Sequence, residues 1–288
     1  MSPRYRFVFA ATVSLAVLAA GHALASDCEG AGVITRIDGD PAAVNIIRES
    51  AKVTRPRVLE VICSGDRVSA AGATKITLSI DGKGVVRVDA GDPYLVAART
   101  GAPSLAGNAY RAVNQQVMPD MKRLPWDVRL KGGNVDFAFA LPQLTAGGQQ
   151  LSPGARALLL RVTGGNGPYA ATVLGPNGAV LAQASGDGAD LIFPTVAYTP
   201  GRYHVTAHDG AGVTIQADFT VADKPADLPT IYDSLTDPEV RAAATACALA
   251  RADSLTRALE AEQLLAAAPS NGLDRGRVYD LIESYGAD

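Results

Sequence analysis

The chain has 288 residues, a formal net charge of −3 and a hydrophobic content of 48%. This length allows two domains of ordinary size. The mild acidity argues against nucleic-acid binding, which needs a concentrated basic surface.

The N-terminus predicts a Sec-type signal peptide over residues 1–25. Arg4 and Arg6 give a positive start, an apolar run covers residues 7–20, and residues 23–25 form a small-x-small cleavage site. An uncleaved anchor is the alternative, but the run barely reaches the ~20 residues that span a bilayer. We therefore expect a periplasmic protein with no membrane span after cleavage. A lipoprotein is disfavoured because an aspartate precedes the first cysteine.

Three cysteines remain after cleavage, namely Cys28, Cys63 and Cys247. In an oxidising compartment two cysteines that lie close together pair. Cys28 precedes the first predicted strand and Cys63 ends a later strand of the same module, so we predict a Cys28–Cys63 disulfide. Cys247 lies in an alanine-rich helix and is expected to be a small buried apolar residue. No C-x-x-C spacing supports a zinc or redox site.

Residues 30–98 consist of short β-branched stretches separated by turns. Ile76, Leu78 and Ile80 alternate with polar residues, which is typical of a strand with one buried face. Asp81-Gly82 marks a tight hairpin turn after that strand. Short strands at this spacing predict a small antiparallel sandwich or barrel.

The order of turn glycines and strands in this region resembles the FecR-like periplasmic domain, a family named for a bacterial regulator of iron uptake. The resemblance rests on residues 32–39, residues 65–68, Gly72 and the alternating strand that leads into residues 81–82. It implies a non-enzymatic β module that works through contacts with other envelope proteins. The full regulators carry a cytoplasmic segment and a membrane span where this chain has a signal peptide, so direct signalling to a cytoplasmic sigma factor is not implied.

Residues 156–222 show a second β pattern, with turn clusters every 8–12 residues between alternating strands, which is typical of an immunoglobulin-like sandwich. Residues 199–205 resemble the strand entry common in bacterial Ig-like domains, with Tyr203 expected to pack inward. The fold does not by itself give the function.

The composition changes after this sandwich to Ala, Leu, Arg and Glu. Residues 236–239 fit a helix start, with a capping Thr or Asp, a proline in the first turn and a glutamate. Helical periodicity runs to about Ala268, with a break near residues 252–254, and a last short helix is predicted over residues 275–285. The predicted fold is therefore mainly β, with a helical C-terminal segment. The predicted division is 1–25 signal peptide, 26–98 FecR-like β domain, 99–155 connector with mixed structure, 156–222 Ig-like sandwich and 223–288 helical segment.

Two histidines are one candidate for chemistry. His204 and His208 are four residues apart and share one face of a predicted strand, with Asp209 and Asp218 as possible carboxylates. The alternative is two partly exposed strand residues beside a turn. A hydrolase would need a serine near one of them, and no G-x-S-x-G elbow occurs. We predict no catalytic residue, no cofactor and no metal.

Three further patterns in the sequence are candidate binding sites. The glycine-rich residues 164–168 lack the Lys-Ser/Thr and the helix of a phosphate-binding loop. Residues 186–190 resemble part of a calcium loop but lack its terminal glutamate. Tyr94, Tyr110 and Trp126 could form a sugar-binding face, but packing in the core or in a linker is the favoured interpretation. The sequence therefore predicts an exported non-enzymatic envelope module that binds a protein partner. A polysaccharide- or peptidoglycan-binding protein is the alternative, and an enzyme that depends on His204 or His208 is the third hypothesis.

Overall fold

A computed structural model describes residues 28–48, 51–53, 55–97, 105–125, 136–252 and 255–285. The predicted signal peptide lies outside these residues. The fold is mainly β, as predicted. None of the helices in this described part combines the length and the apolar character that a membrane crossing requires.

The first module contains eight strands in two four-stranded antiparallel sheets, with strand orders β4-β1-β6-β7 and β3-β2-β5-β8. The strands are β1 (Gly30–Asp38), β2 (Val44–Arg48), β3 (Ala51–Val53), β4 (Val61–Cys63), β5 (Arg67–Ala70), β6 (Lys75–Ile80), β7 (Gly84–Val88) and β8 (Tyr94–Leu95). Alternating residues such as Ile34, Ile46, Ile76 and Leu78 are buried and form a core of their own. Of the two predicted arrangements, a small antiparallel sandwich or a barrel, these two sheets fit the sandwich. The Asp81-Gly82 turn joins β6 to β7, and Gly82 has the positive φ of 74° that glycine tolerates.

A helical segment follows and packs on the first module. It consists of α1 (Leu105–Ala112), a π-helical turn over Val113–Val117 and α2 (Met118–Met121). Helix α1 crosses β1 closely, because a Cβ on Gly30 would lie 2.3 Å from the Cβ of Tyr110. Only a glycine at position 30 allows this approach.

The second module is built from ten strands and one short helix, arranged as a five-stranded sheet (β10-β18-β17-β13-β14), a three-stranded sheet (β15-β12-β9) and the pair β11-β16. The elements are β9 (Ala138–Phe139), α3 (Pro142–Ala146), β10 (Gln149–Leu151), β11 (Gly154–Arg156), β12 (Leu159–Thr163), β13 (Tyr169–Leu174), β14 (Val180–Gly186), β15 (Asp190–Ile192), β16 (Val196–Tyr198), β17 (Gly201–His208) and β18 (Thr214–Val221). Tyr203 packs inward as predicted, with its ring stacked on Phe219 at 5.3 Å between centroids.

Three helices close the chain: α4 (Pro238–Arg251), α5 (Ala258–Ala267) and α6 (Arg275–Ser284). Asp237 caps α4, and the predicted break falls between α4 and α5. The predicted inner face of α6, formed by Val278, Leu281 and Ile282, is buried. The largest core cluster unites these helices with α1, with the second module and with Val33 and Leu59 of the first.

Candidate functional site

A groove of about 760 Å³ lies between the strands β11, β12 and β15 and the helices α5 and α6. We call it the α5–α6 groove. Its apolar lining includes small exposed residues (Ala155, Ala157 and Ala267) and Ile192, which is 69% exposed at the end of β15. Its polar lining consists of Arg156, Arg161, Asp190, Glu260, Gln263, Arg275 and Tyr279.

Two glutamine side chains fix α5 against the sheets on which the groove is built. The amide of Gln263 donates to the carbonyl of Leu159 at 2.9 Å and accepts from the N–H of Leu159 at 2.6 Å. Gln149 does the same between strand and helix, donating to the carbonyl of Leu255 at 2.8 Å and accepting from the N–H of Leu259 at 2.9 Å. Both glutamines are buried, so these bonds position α5 rigidly.

Arg156 is held at the β11 side of the groove. Its Nη1 atom lies 3.1 and 3.0 Å from the two carboxylate oxygens of Glu260. Glu260 also accepts from the backbone N–H of Ser152 at 2.8 Å. The charge of Arg156 is therefore balanced by this chain before any ligand arrives.

Arg161 contacts three different groups at once. Its Nη1 donates to Glu283, its Nε donates to Asp190 at 3.1 Å, and its guanidinium lies 4.6 Å from the ring centroid of Tyr279. Burial lowers the pKa of Arg161, and the carboxylates of Glu283 and Asp190 raise it by more, so it stays above its ordinary value. Arg161 therefore joins α6 to β12 and β15 as a permanent cation.

Behind Arg161, the carboxyl groups of Glu262 and Glu283 lie close enough to influence each other's pKa. Burial raises the pKa of Glu262 well above its ordinary range, and Glu283 raises it further. Burial also raises the pKa of Glu283, to about 7. Two carboxyls in one buried site share a proton rather than ionise together. Neither residue lines the groove, so the shared proton lies inside the wall that α5 and α6 form.

Arg275 is fixed at the α6 side of the groove. Its Nε lies 2.6 Å from Glu239 Oε1, and its Nη2 donates to the carbonyl of Ala268 at 2.7 Å. Glu239 is buried and also accepts from the backbone N–H groups of Asn271 and Leu273, at 2.6 and 2.9 Å. All three arginines that line the groove are thus ion-paired within the chain.

The two histidines predicted as a possible metal pair do share one face of β17, but the strand register separates their contacts. His204 is paired with Asp218 on β18, and the His204 Nδ1 to Asp218 Oδ1 distance is 2.9 Å. His208 is paired with Thr214, whose hydroxyl lies 2.8 Å from Nδ1. Within the described ranges, no group of three or more His, Cys, Asp or Glu side chains is arranged to hold a metal.

Asp209 holds two loops together instead of joining a metal site. It accepts hydrogen bonds from the N–H groups of Asn166 (3.0 Å), Ala211 (3.1 Å) and Val213 (2.7 Å). Burial raises its pKa, but the backbone donors outweigh that effect and leave the pKa below its ordinary value. The glycine-rich residues 164–168 are therefore a turn anchored by Asp209, as the sequence indicates. In the calcium-like stretch, Asp190 is bound to Arg161.

The aromatic residues proposed for a sugar-binding face do not form one among the described residues. Tyr110 is only 2% exposed and packs in the core, while Tyr94 lies in β8 of the first module. Trp126 lies outside the described residues.

The sulfur atoms of Cys28 and Cys63 are bonded, with their Cα atoms 5.7 Å apart. This bond fastens the residues before β1 to the end of β4. Cys247 is a free, buried thiol in α4, and burial raises its pKa to about 12. It is therefore a small apolar residue of the core, as the sequence predicts.

Sequence reasoning missed the α5–α6 groove. The available signal was Arg161, a lone charge within the apolar residues 157–162, together with the polar residues Glu262 and Gln263 inside a helix of alanines and leucines. Charges at apolar positions are retained only when they are paired. That rule points to a buried network, but Leu159 and Gln263, and Arg161 and Glu283, are partners more than 100 residues apart in sequence.

Comparison with known proteins does not place the chain in a family. No family model and no curated protein matches it. Partly similar solved structures include CopC from Methylosinus trichosporium OB3b, with 20% identity, 32% of this chain and 93% of that chain covered, and a TM-score of 0.24. DIP-gamma IG1+IG2 has 8% identity, 67% and 76% coverage and a TM-score of 0.22. Bacteroides ovatus SGBP-B, in complex with a mixed-linkage heptasaccharide, has 12% identity, 71% and 51% coverage and a TM-score of 0.20. We draw no functional conclusion from similarities of this size.

Proposed function

We propose that the chain is an exported, non-enzymatic envelope protein that acts as a protein-interaction or scaffold module. The observation that carries this proposal is the α5–α6 groove, where exposed Ile192 and small apolar side chains lie beside charges that are already paired. Apolar area rimmed by polar groups is typical of surfaces that receive another protein. The partner is an envelope protein that offers an apolar side chain to the groove.

The non-enzymatic part of the proposal is supported by how the polar groups are used. A general acid or base must reach the substrate with a proton to give or accept. In the groove, Arg156, Arg161 and Arg275 are each bound to a carboxylate of the chain. The titrating pair of Glu262 and Glu283 lies behind the groove lining.

Export and the FecR-like character of the first module are parts of the same proposal. They rest on the N-terminal residues and on the turn glycines described above. A fusion of residues 1–30 to a reporter enzyme that is active only outside the cytoplasm tests export directly. Loss of reporter activity when the apolar run is interrupted by charged residues is the expected control result.

The interaction itself is tested by placing a photo-crosslinking amino acid at position 192 in the full chain within intact cells. Crosslinking to one envelope protein is expected at Ile192. The matched control is Val213, an exposed apolar residue (50% exposed) in the turn between β17 and β18 that does not line the groove. The crosslink at 192 should disappear when the groove is filled by Ala157→Trp or Ala267→Trp, which alter exposed positions and leave the fold intact.

Equal crosslinking at positions 192 and 213 would contradict the proposal, because it would reflect random collisions. A crosslink at 192 that survives both tryptophan substitutions would also contradict it, since the partner would then not occupy the groove.

A further inference from the structure

The edge strand β14 is unusual among the described strands. It forms the end of the five-stranded sheet and pairs there with β13 alone. Its seven residues, Val180–Gly186, include no charged residue and no proline. An edge of this kind presents a row of unpaired N–H and C=O groups that a further strand can bind.

Among the described strands, the other strands at sheet edges are at most three residues long or carry a charge. Strand β3 is three residues long and carries Lys52, and β7 carries Arg87. Strand β15 is three residues long and carries Asp190. At the opposite edge of the five-stranded sheet, β10 is covered by the start of the α5 region, where the N–H of Gln150 donates to the carbonyl of Thr256 at 2.8 Å. Charges and short length are the usual protection of a sheet edge, and β14 has neither.

The side chains of β14 allow another strand to approach its free edge. Ala182 is buried towards the core, whereas Gln183 and Ser185 are exposed on the outer face and Val180 is 60% exposed. The amide of Gln183, at the centre of the strand, reaches the hydroxyl of Thr172 at 3.3 Å. None of the side chains of β14 carries a charge that would repel an approaching copy of the strand.

We infer that β14 pairs antiparallel with β14 of a second copy of this chain, around a two-fold axis near Gln183. This pairing joins two five-stranded sheets into one continuous sheet. It goes beyond the proposed partner in the α5–α6 groove, whose lining includes no residue of β14.

The absence of charge is what favours a second copy over a foreign strand. In a two-fold symmetric interface, a residue near the axis meets its own copy, so any charge there meets a like charge. Like charges directly opposite each other on paired strands are destabilising. A foreign partner has no such restriction and gains from complementary charges, which guide association. Because β14 has no charged residue, it meets no like charge when it pairs with its own copy.

Sedimentation velocity of residues 26–288 over a range of concentrations tests this inference. The unsubstituted chain is expected to form a concentration-dependent dimer. Gln183→Lys and Gln183→Glu should each raise the dimer dissociation constant about fivefold, because each places like charges across the axis. An equimolar mixture of the two variants should restore dimerisation, since opposite charges then face each other.

Gln216→Lys is the matched control, because Gln216 is an exposed glutamine in the interior of the same sheet. It should dimerise like the unsubstituted chain. A chain that stays monomeric at all concentrations, or a dimer that is insensitive to both charge variants, would overturn the inference. The crosslink at Ile192 should persist in Gln183→Lys, so failure here is separable from failure of the proposed groove partner.

Discussion

The hydroxyl of Ser79 donates a hydrogen bond of 2.8 Å to the carboxylate of Asp237, although 158 residues separate them. Asp237 is also the N-cap of α4 and accepts from the N–H groups of Glu239 and Val240, at 2.9 and 3.2 Å. The side-chain amide of Asn271 donates to it at 2.9 Å. One buried carboxylate therefore connects β6 of the first module to α4 and to the loop before α6.

Replacing this carboxylate should destabilise the whole protein. We expect Asp237→Ala to lower the free energy of unfolding by about 3 kcal/mol, because the helix loses its cap and the buried Ser79 hydroxyl loses its acceptor. Urea unfolding monitored by circular dichroism measures the change. Asp233→Ala, at an exposed acidic residue four positions earlier, is the control and should change little. Equal stability of the two variants would show that Asp237 does not connect the modules.

The disulfide between Cys28 and Cys63 should stabilise the folded protein because it closes a loop of the chain. Cys28 and Cys63 are 35 residues apart. A cross-link that closes such a loop lowers the entropy of the unfolded chain and raises the free energy of unfolding by about 3–4 kcal/mol. We expect the Cys28→Ser/Cys63→Ser variant to unfold at lower urea concentration and to be insensitive to reductant. Cys247→Ala should remain as sensitive to reductant as the unsubstituted chain. A reductant effect that persists in the double serine variant would refute the pairing.

The Glu262–Glu283 pair predicts a specific pH dependence. The pKa of Glu283 is about 7 in the folded protein against an ordinary value of 4.5, so the folded state binds protons more tightly than the unfolded state. The stabilisation from this proton is complete below about pH 4.5 and is lost as pH rises towards 7.

Glu283→Gln should remove much of this dependence, because burial then acts on an amide that has no titrating proton. Between pH 4.5 and pH 8 the unsubstituted chain should lose about 2 kcal/mol of stability that the variant does not lose. Urea midpoints across this pH range give the measurement. Glu29→Gln, outside the pair, should follow the unsubstituted curve, and parallel curves for Glu283→Gln and the unsubstituted chain would contradict the raised pKa of Glu283.

Local features of the fold could be predicted from the sequence because local rules decide them. The turn at Gly82 follows from the conformational freedom of glycine. The start of α4 follows from the capping chemistry of Asp237 and the first-turn Pro238. The inward position of Tyr203 follows from the alternation of a strand with one buried face.

The site could not be predicted in the same way, because it depends on register and on distant pairing. The spacing of His204 and His208 correctly places both on one face of β17, but only the β17–β18 register shows that each contacts a different neighbour. The bonds from Gln263 to Leu159 and from Arg161 to Glu283 join residues 104 and 122 positions apart. The hydrophobic periodicity of a strand or a helix does not show which distant residues it will contact.

The core cluster that runs from Val33 to Ile282 has a practical consequence for anyone who dissects this protein genetically. Deleting the last helices would expose the apolar residues that these helices bury in the shared core cluster. Such an exposed apolar surface promotes aggregation in water. Loss of function in a truncated chain would then result from misfolding of the remaining modules and would not reveal the role of the deleted helices. Point substitutions at exposed positions leave the core intact and are therefore better suited than truncations to test the function of individual residues.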